Sequence, residues 1–315
     1  MIIEELKNRI QKQYKIYNKW AKKEDLTCFR IYHKDLPNFP LTIDWIDNNT
    51  VCWIYNRTRD DSKEKQQEFE KNVEETILVA LKVNPDQLFI KTREKQKGLN
   101  NQYKKLSIES KTKIIKENNL KFEINLTDYL DIGLFLDHRK TRQYVQSISQ
   151  NKRVLNLFSY TGSFTCYAIA GGALATTSVD LNKNYTKWTE NNVRINEFKK
   201  RASDRIITDN VFSFLHLEQS KNRYDLIICD PPTFSNSKKM KKAFSVDNDY
   251  KQLLKLCINL LAKKGTLIFS CNSSQFKLES TSLSKQITIK NITSKTTSFD
   301  FKERNPHQCW EIKKL

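Results

Sequence analysis

The second half of the chain is built on an alternation. After Asn151 the strand-like runs RVLNLF, LATTSVD, RIITD, YDLIICD and GTLIFSC are separated by helical stretches such as NYTKWTENNVRIN and YKQLLKLCINLLAKK. A strand can pair in parallel with its neighbour only after a crossover of a dozen or more residues, which a helix supplies. The rhythm therefore predicts an α/β fold with a doubly wound, mainly parallel sheet. QITIKNI and QCWEIKKL add two strand candidates at the C-terminal end. The first half reads differently. Ile3, Leu6, Ile10, Tyr14 and Tyr17 recur at helical spacing and predict one amphipathic helix. Short β-prone runs CFRIY, LTIDWI and TVCWIY follow, then a helix around 64–83 and the strand QLFIK. KTREKQKGLNNQYKK (91–105) has six Lys or Arg against one Glu and no apolar periodicity, which predicts an exposed basic loop. KFEINL and LDIGLFL, within 120–136, read as a β-hairpin. The boundary between the two unlike halves is expected near 120–150.

Charge narrows the partner. Lys and Arg exceed Asp and Glu by 19, which points to a polyanion, although a lysine-rich face can also be simply solvated. No apolar run approaches the roughly 20 residues that span a bilayer, so membrane attachment is not expected. MIIEELKNRI carries acids within its apolar stretch and reads as a helix, not a signal peptide. The seven cysteines form no CxxC and no close pairing with histidine, which argues against a metal site or a disulfide framework. A reducing cytoplasm is the expected compartment.

Ligands of an open parallel sheet bind beyond the carboxyl ends of its strands, near the reversal of strand order. After the first strand comes SYTGSFT, where Gly162 lets backbone approach a ligand before a helix begins. The loop lacks the GxGxxG spacing of a pyrophosphate cradle, which counts against NAD or FAD. After the second comes Asp180, placed to accept from two ribose hydroxyls. After the third comes Asp209, which could accept from an adenine amino group while Asn210 caps the next helix. After the fourth comes Asp230-Pro231-Pro232. Singly, each has a plainer reading as a cap or turn. Together they fit one ligand, S-adenosylmethionine. The two prolines stiffen the turn and remove two N–H donors, leaving carbonyl and carboxylate acceptors. Phe234 can lie against a flat ring, so Asp230, Pro231, Pro232 and Phe234 form a candidate catalytic holder for a nucleobase edge. The lysines just beyond, Lys238 and Lys239 among them, would meet phosphates.

NLFSYTGSFT, DPPTFSNSKKM, TDYLDIGLFLDHRKTR (127–142), KTREKQKGLNNQYKKL and NPHQCWEI together resemble the C-terminal half of the bacterial bifunctional 23S rRNA guanine methyltransferase. That half makes 7-methylguanosine and the other makes N2-methylguanosine. The similarity runs along essentially the whole chain. It implies a class I methyltransferase domain over 125–315 with a seven-stranded sheet, the last strand antiparallel. An N-terminal helix (1–24) and a small α+β RNA-binding domain (25–124) would precede it. It implies S-adenosyl-L-methionine as cofactor and 23S rRNA of the unassembled large subunit as substrate. By position, Phe135, Asp137 and Arg139 would approach the cofactor, with Arg139 on its carboxylate. Asn156, Phe158, Tyr160, Thr161 and Gly162 of the NLFSYTG loop would join Asp180, Asp209, Asn210 and Asp230 there. Lys95, Lys97, Lys104, Lys238 and Lys239 would bind RNA.

Two departures open alternatives. The chain begins where the family's second half begins, so the resemblance implies either a stand-alone enzyme, with a separate N2-guanine methyltransferase half as a partner, or a trimmed piece. And IFSCNSS places Cys271 after the fifth strand, where the N7 group is expected to carry asparagine. Cytosine-C5 relatives hold a nucleophilic cysteine about there, which leaves rRNA cytosine-C5 methylation open. A third reading is an RNA-binding ribosome assembly factor without catalysis.

Overall fold

The computed structural model describes residues 1–55, 62–93, 110–199, 201–219, 223–236, 243–273, 275–279, 283, 286–302, 304 and 306–315. The chain divides into two compact units, Met1–Ile132 and Gly133–Leu315.

In the first unit α1 (Glu4–Lys23) is followed by β1 (Cys28–His33), β2 (Leu41–Ile46), β3 (Asn49–Tyr55), α2 (Lys63–Leu81) and β4 (Leu88–Arg93). The four strands form one sheet in sequence order, antiparallel except for the β3–β4 pair, which α2 connects in parallel. Leu6 and Ile10 of α1 are fully buried with Phe29, Ile31, Ile43 and Val73 in one core, so the first helix is part of this unit and not a separate element. The β-hairpin lies earlier than KFEINL–LDIGLFL: β5 (Thr112–Glu117) pairs with β6 (Leu120–Asn125). Asn118 and Asn119, at φ 50 and 66, make the left-handed two-residue turn that matches strand twist. LDIGLFL is not a strand. Its first residues are anchored to this unit instead, because Trp53 Nε1 donates to Leu130 O at 2.7 Å, and Lys91 Nζ and Arg93 bond Tyr129 O and Asp131. Those anchors carry the dividing point to Ile132, within the expected 120–150 and beyond the 124 that the resemblance implies.

The second unit contains α3 (Arg139–Ser147), β7 (Arg153–Leu157), α4 (Ser163–Ala170), β8 (Ala175–Asp180), α5 (Lys183–Ile195), β9 (Arg205–Thr208), α6 (Val211–Glu218) and β10 (Tyr224–Cys229). Then come β11 (Phe234–Ser235), β12 (Phe244–Ser245), α7 (Val246–Leu260), β13 (Leu261–Cys271), β14 (Ile287–Asn291), α8 (Thr293–Thr296) and β15 (Gln308–Lys314). Among the described residues the main sheet has seven strands in the order β14-β15-β13-β10-β7-β8-β9, with β15 antiparallel to both neighbours. The expected doubly wound sheet is present, and its last strand is the antiparallel one. Strand residues alternate between two cores. Leu155, Leu157, Ile227, Leu267 and Phe269 pack on one face with α6 and α7. Val154, Leu226, Ile228 and Ile268 pack on the other with Val145 of α3 and Phe164 and Ala168 of α4. Near-continuous apolar strands are what burial on both faces requires.

Phe269 is fully buried near the carboxyl end of β13, its ring 5.7 Å from those of both Trp310 and Phe276. Phe269→Ala is expected to lower unfolding stability by about 3–5 kcal/mol. Urea denaturation followed by tryptophan fluorescence measures it, and a loss under about 1 kcal/mol would show that this core collapses around the gap.

Candidate active site

The chain winds from β7 through β8 to β9 on one side of the sheet and from β10 to β13 on the other, so the loops after β7 and β10 flank the switch point. In the first loop Phe158 (φ 53) and Tyr160 (φ 49) adopt a left-handed backbone that non-glycine residues rarely hold. Gly162 (φ 76) precedes α4, and a Cβ there would lie 2.3 Å from Thr189 Cγ2, so only glycine lets α5 come this close. Thr189 Oγ1 donates to Tyr160 O at 3.1 Å and Asn192 Nδ2 to Thr161 O at 2.8 Å, which makes the loop rigid.

Asp180 ends β8. Its Oδ2 accepts from Tyr160 N and its Oδ1 from Asn182 N, both at 2.9 Å. Burial pushes its carboxyl up to about 6, against the lowering effect of these backbone bonds. Asp209 N donates to Asp180 O at 3.0 Å, which ties the second and third strand ends together. Asp209 Oδ1 accepts from Asn210 N at 2.7 Å, and the Asn210 side chain caps α6 by accepting from Phe212 N and Ser213 N. Phe135 is exposed and leans on Tyr160, ring centroids 5.1 Å apart. Phe234 is also exposed, on the short ribbon of β11 with β12, whereas Phe158 packs against Phe244. Asn156 and Thr161, cofactor residues by resemblance, turn their side chains inward: Asn156 Nδ2 donates to Thr165 Oγ1 at 2.9 Å and Thr161 Oγ1 to Gly133 O at 2.6 Å.

One helical turn, Leu136–His138, carries Asp137 and His138 to the same edge, and His307 arrives just before β15. The two imidazoles stack with centroids 4.3 Å apart at 18°. His138 Nε2 lies 3.5 Å from Asp230 Oδ2 and 3.8 Å from Asp137 Oδ2, and His307 Nδ1 lies 3.4 Å from Asp137 Oδ2. Both nitrogens are buried and, among the described residues, lack a hydrogen-bond partner. Burial holds the His138 pKa below its ordinary value, outweighing the nearby Asp230 carboxylate. Ser270 Oγ donates to Asp230 Oδ1 at 2.5 Å. The ligand atoms of Asp137, His138 and His307 come within 4.8 Å of one another. Imidazole nitrogens ligate in the ring plane, however, and two nearly parallel planes one van der Waals layer apart cannot share an in-plane cation. Arg139 corrects the expectation drawn from resemblance. It is 1% exposed, and its Nη1 donates to Ser298 Oγ at 3.0 Å and to Asp300 Oδ1 at 3.1 Å, an internal ion pair where the resemblance implies a cofactor carboxylate. Sequence reasoning missed His138, His307 and Ser270, although the quoted GLFLDHR, NPHQCWEI and IFSCNSS contain them.

A family model described as S-adenosylmethionine-dependent methyltransferase matches residues 30–308. The chain belongs to this family. It is 42% identical over 308 residues to the ribosomal RNA large subunit methyltransferase K/L of Hahella chejuensis, which covers 98% of this chain and 42% of that protein. The chain thus spans about two fifths of that relative's length. A solved structure described as a methyltransferase complexed with SAH covers 98% of this chain and 81% of its own at 23% identity and a TM-score of 0.73. One described as a SAM-dependent methyltransferase from Streptococcus mutans covers 99% and 82% at 22% identity and a TM-score of 0.78. Both share the fold over nearly the whole chain, and both are class I methyltransferases in architecture.

S-adenosylmethionine is the cofactor of such a methyltransferase, and the strand ends suit it. The Asp180 carboxylate accepts from Tyr160 N and Asn182 N, with the Leu181 N–H also acting on it, and the acceptor capacity that remains is what a hydroxyl would use. Cys271 does not look outward. It is 1% exposed in the core on the α7 face, and burial pushes its thiol up to about 11. Lys95, Lys97, Lys104, Lys238 and Lys239 lie outside the described residues. All seven cysteines are buried free thiols. A thiol-reactive dye at neutral pH should therefore label native protein at well under one site per chain within minutes and all seven in denaturant. Rapid native labelling mapped to Cys271 would contradict this burial.

Proposed function

We propose that this methyltransferase makes 7-methylguanosine in 23S rRNA, acting in the cytoplasm on the unassembled large subunit. The substrate class is supported by the 42% identity across 98% of the chain to a large-subunit rRNA enzyme. The observation that carries guanine N7 over cytosine C5 is the state of Cys271. C5 methylation needs a thiolate to add at C6, and a thiol buried in an apolar core with its pKa raised to about 11 is protonated and out of reach.

Guanine N7 has an exposed lone pair and no proton, so its methylation needs no general base, and catalysis reduces to orientation. Bound S-adenosylmethionine supplies an electrophilic methyl group on a sulfonium. Asp180 accepts from the ribose hydroxyls, Asp209 from the adenine amino group, and Phe135, Tyr160 and Asp137 line the remainder of that pocket. Asp230 presents its carboxylate to the guanine N1–H and N2–H₂ edge or to the positive charge that develops on the purine. Pro231 and Pro232 keep the turn stiff and Phe234 stacks on the base. The small first domain and the lysines at 95, 97, 104, 238 and 239 hold the phosphates, consistent with the excess of 19 positive charges. A separate N2-guanine methyltransferase half is the proposed protein partner.

If Asp180 holds the ribose, it must be ionised to accept both hydroxyls. Cofactor affinity is then constant above about pH 7, falls as pH drops through about 6, and approaches tenfold per pH unit below it, since one proton must leave. The same carboxylate opposes folding when ionised, because its folded pKa is raised above the unfolded value of 3.8, so that penalty is relieved as pH falls through about 6. Calorimetry from about pH 5 to 8 tests the binding profile. Asp180→Ala should flatten it and weaken binding by about 1.5 kcal/mol or more. A flat wild-type profile would remove Asp180 from the ribose site.

The product itself is checked by methyl transfer to unmodified 23S rRNA with nucleoside mass spectrometry. Cys271→Ser should keep turnover within about tenfold, a packing effect, while Asp230→Ala should lose about 100-fold or more. A wild type that yields 5-methylcytidine, with a dead Cys271→Ser variant, would sink the N7 reading.

A further inference from the structure

We infer that His138 is a positioning residue for Asp230: its Nε2–H holds one oxygen of that carboxylate while the Ser270 hydroxyl holds the other. The inference rests on the reading above, in which Asp230 meets the guanine.

The tautomer follows from what each nitrogen faces. His138 Nδ1 faces Thr141 Oγ1 at 3.4 Å, a hydroxyl that can donate or accept. Among the described residues Nε2 faces two carboxylate oxygens, Asp230 Oδ2 at 3.5 Å and Asp137 Oδ2 at 3.8 Å. Ionised carboxylates only accept, so a bare lone pair on Nε2 would confront two anions in a buried place. A proton on Nε2 turns both repulsions into attractions, and the Thr141 hydroxyl then donates to Nδ1. The buried, unpartnered Nε2 is therefore a donor aimed at the site.

The ring is held for this task. His307 stacks on its face at 4.3 Å, and the edge of Phe164 lies against it with centroids 5.8 Å apart. His307 is itself fixed through Nε2 to Thr296 Oγ1 at 3.2 Å, and that hydroxyl also reaches Thr293 O at 3.1 Å. The other charged group felt by the imidazole is Arg142, whose Nη1 donates to Phe135 O at 2.8 Å. The Asp230 side chain is 23% exposed while His138 is 2% exposed, so the two donors grip the carboxylate from below and leave its outer lone pairs for a ligand. A nitrogen–oxygen distance of 3.5 Å is longer than a settled hydrogen bond, and such contacts in ligand-free sites commonly tighten when substrate arrives.

The wild-type chain is tested first, by long-range proton–nitrogen NMR of its histidine rings. The expected result is the Nε2–H tautomer of His138, and the Nδ1–H tautomer would overturn the inference. Three variants follow in the 23S rRNA assay. His138→Phe should lower kcat by about 10- to 100-fold with cofactor Kd changed less than about twofold. His138→Gln, whose amide N–H takes the place of Nε2–H, should recover kcat to within about threefold of wild type. Equal losses in both variants, or a loss of cofactor binding instead of kcat, would overturn the proposal. In an Asp230→Asn background His138→Phe should cost less than about threefold more, because the group it positions is already altered. A full independent loss there would show that His138 acts elsewhere. Asp230→Asn with undiminished turnover would remove Asp230 from the reaction and this proposal with it, while leaving the tautomer observable in the wild-type spectrum. If His138→Phe fails to fold, the wild-type tautomer and the Gln variant still decide the matter.

Discussion

Between β7 and β10 the sheet reverses its direction of winding, and no crossover helix can cover the carboxyl ends of both strands. Leu157 pairs with Cys229 across this junction, and the chain then leaves the two strands on opposite faces, into α4 and toward α7. The crevice is a consequence of connectivity, not of any one side chain. What the side chains decide is how rigid its walls are. The left-handed backbone at Phe158 and Tyr160 aims Tyr160 N at Asp180, and Gly162 admits α5 close enough for Thr189 and Asn192 to bond the loop. Strained conformations persist only where surroundings over-determine them. Here three hydrogen bonds do so.

The far wall is polar and enclosed. Burying charge is costly unless it is paired, and the structure pairs it consistently. Arg139 meets Asp300 and Ser298, Asp230 meets Ser270, and Asp180 meets backbone N–H groups. The stacked imidazoles of His138 and His307 carry the only buried nitrogens of this wall, among the described residues, that lack a hydrogen-bond partner. A fully paired wall would be inert scaffold. An incompletely paired one beside an aspartate at the switch point is where a ligand can change the hydrogen bonding.

In the function proposed above, the crevice of the second unit would offer acceptors to a nucleoside and a stiff proline turn to a base. The net charge supplies attraction for a polyanion, an effect of long range that needs little geometry. Cys271 marks the limit of arguing from position along a strand. Residues on a strand alternate faces, so Ser270 points to Asp230 and Cys271 into the core, and a shift of one residue separates a group on the site from one that is inert.

The alternation of apolar strands and amphipathic helices after Asn151 was enough to determine the doubly wound sheet, because period and crossover length are local properties of a chain. The acidic residues Asp180, Asp209 and Asp230 and the turn at Gly162 were placed for the same reason: they lie at or a few residues beyond the carboxyl ends of their strands. The hairpin was misplaced, since the left-handed pair Asn118–Asn119 is a weaker signal than the apolar run LDIGLFL, and only the pairing of β5 with β6 showed which segment had a partner. Side-chain direction was not legible at all. Asn156 and Thr161 turn inward, Arg139 is engaged by Asp300 from the far end of the chain, and His307 lies on His138 only because β15 runs back antiparallel beside β13. Such meetings depend on which face a strand presents and which distant segment reaches it. Those are decided by packing the two cores against the sheet, a condition on the whole chain that no local stretch contains.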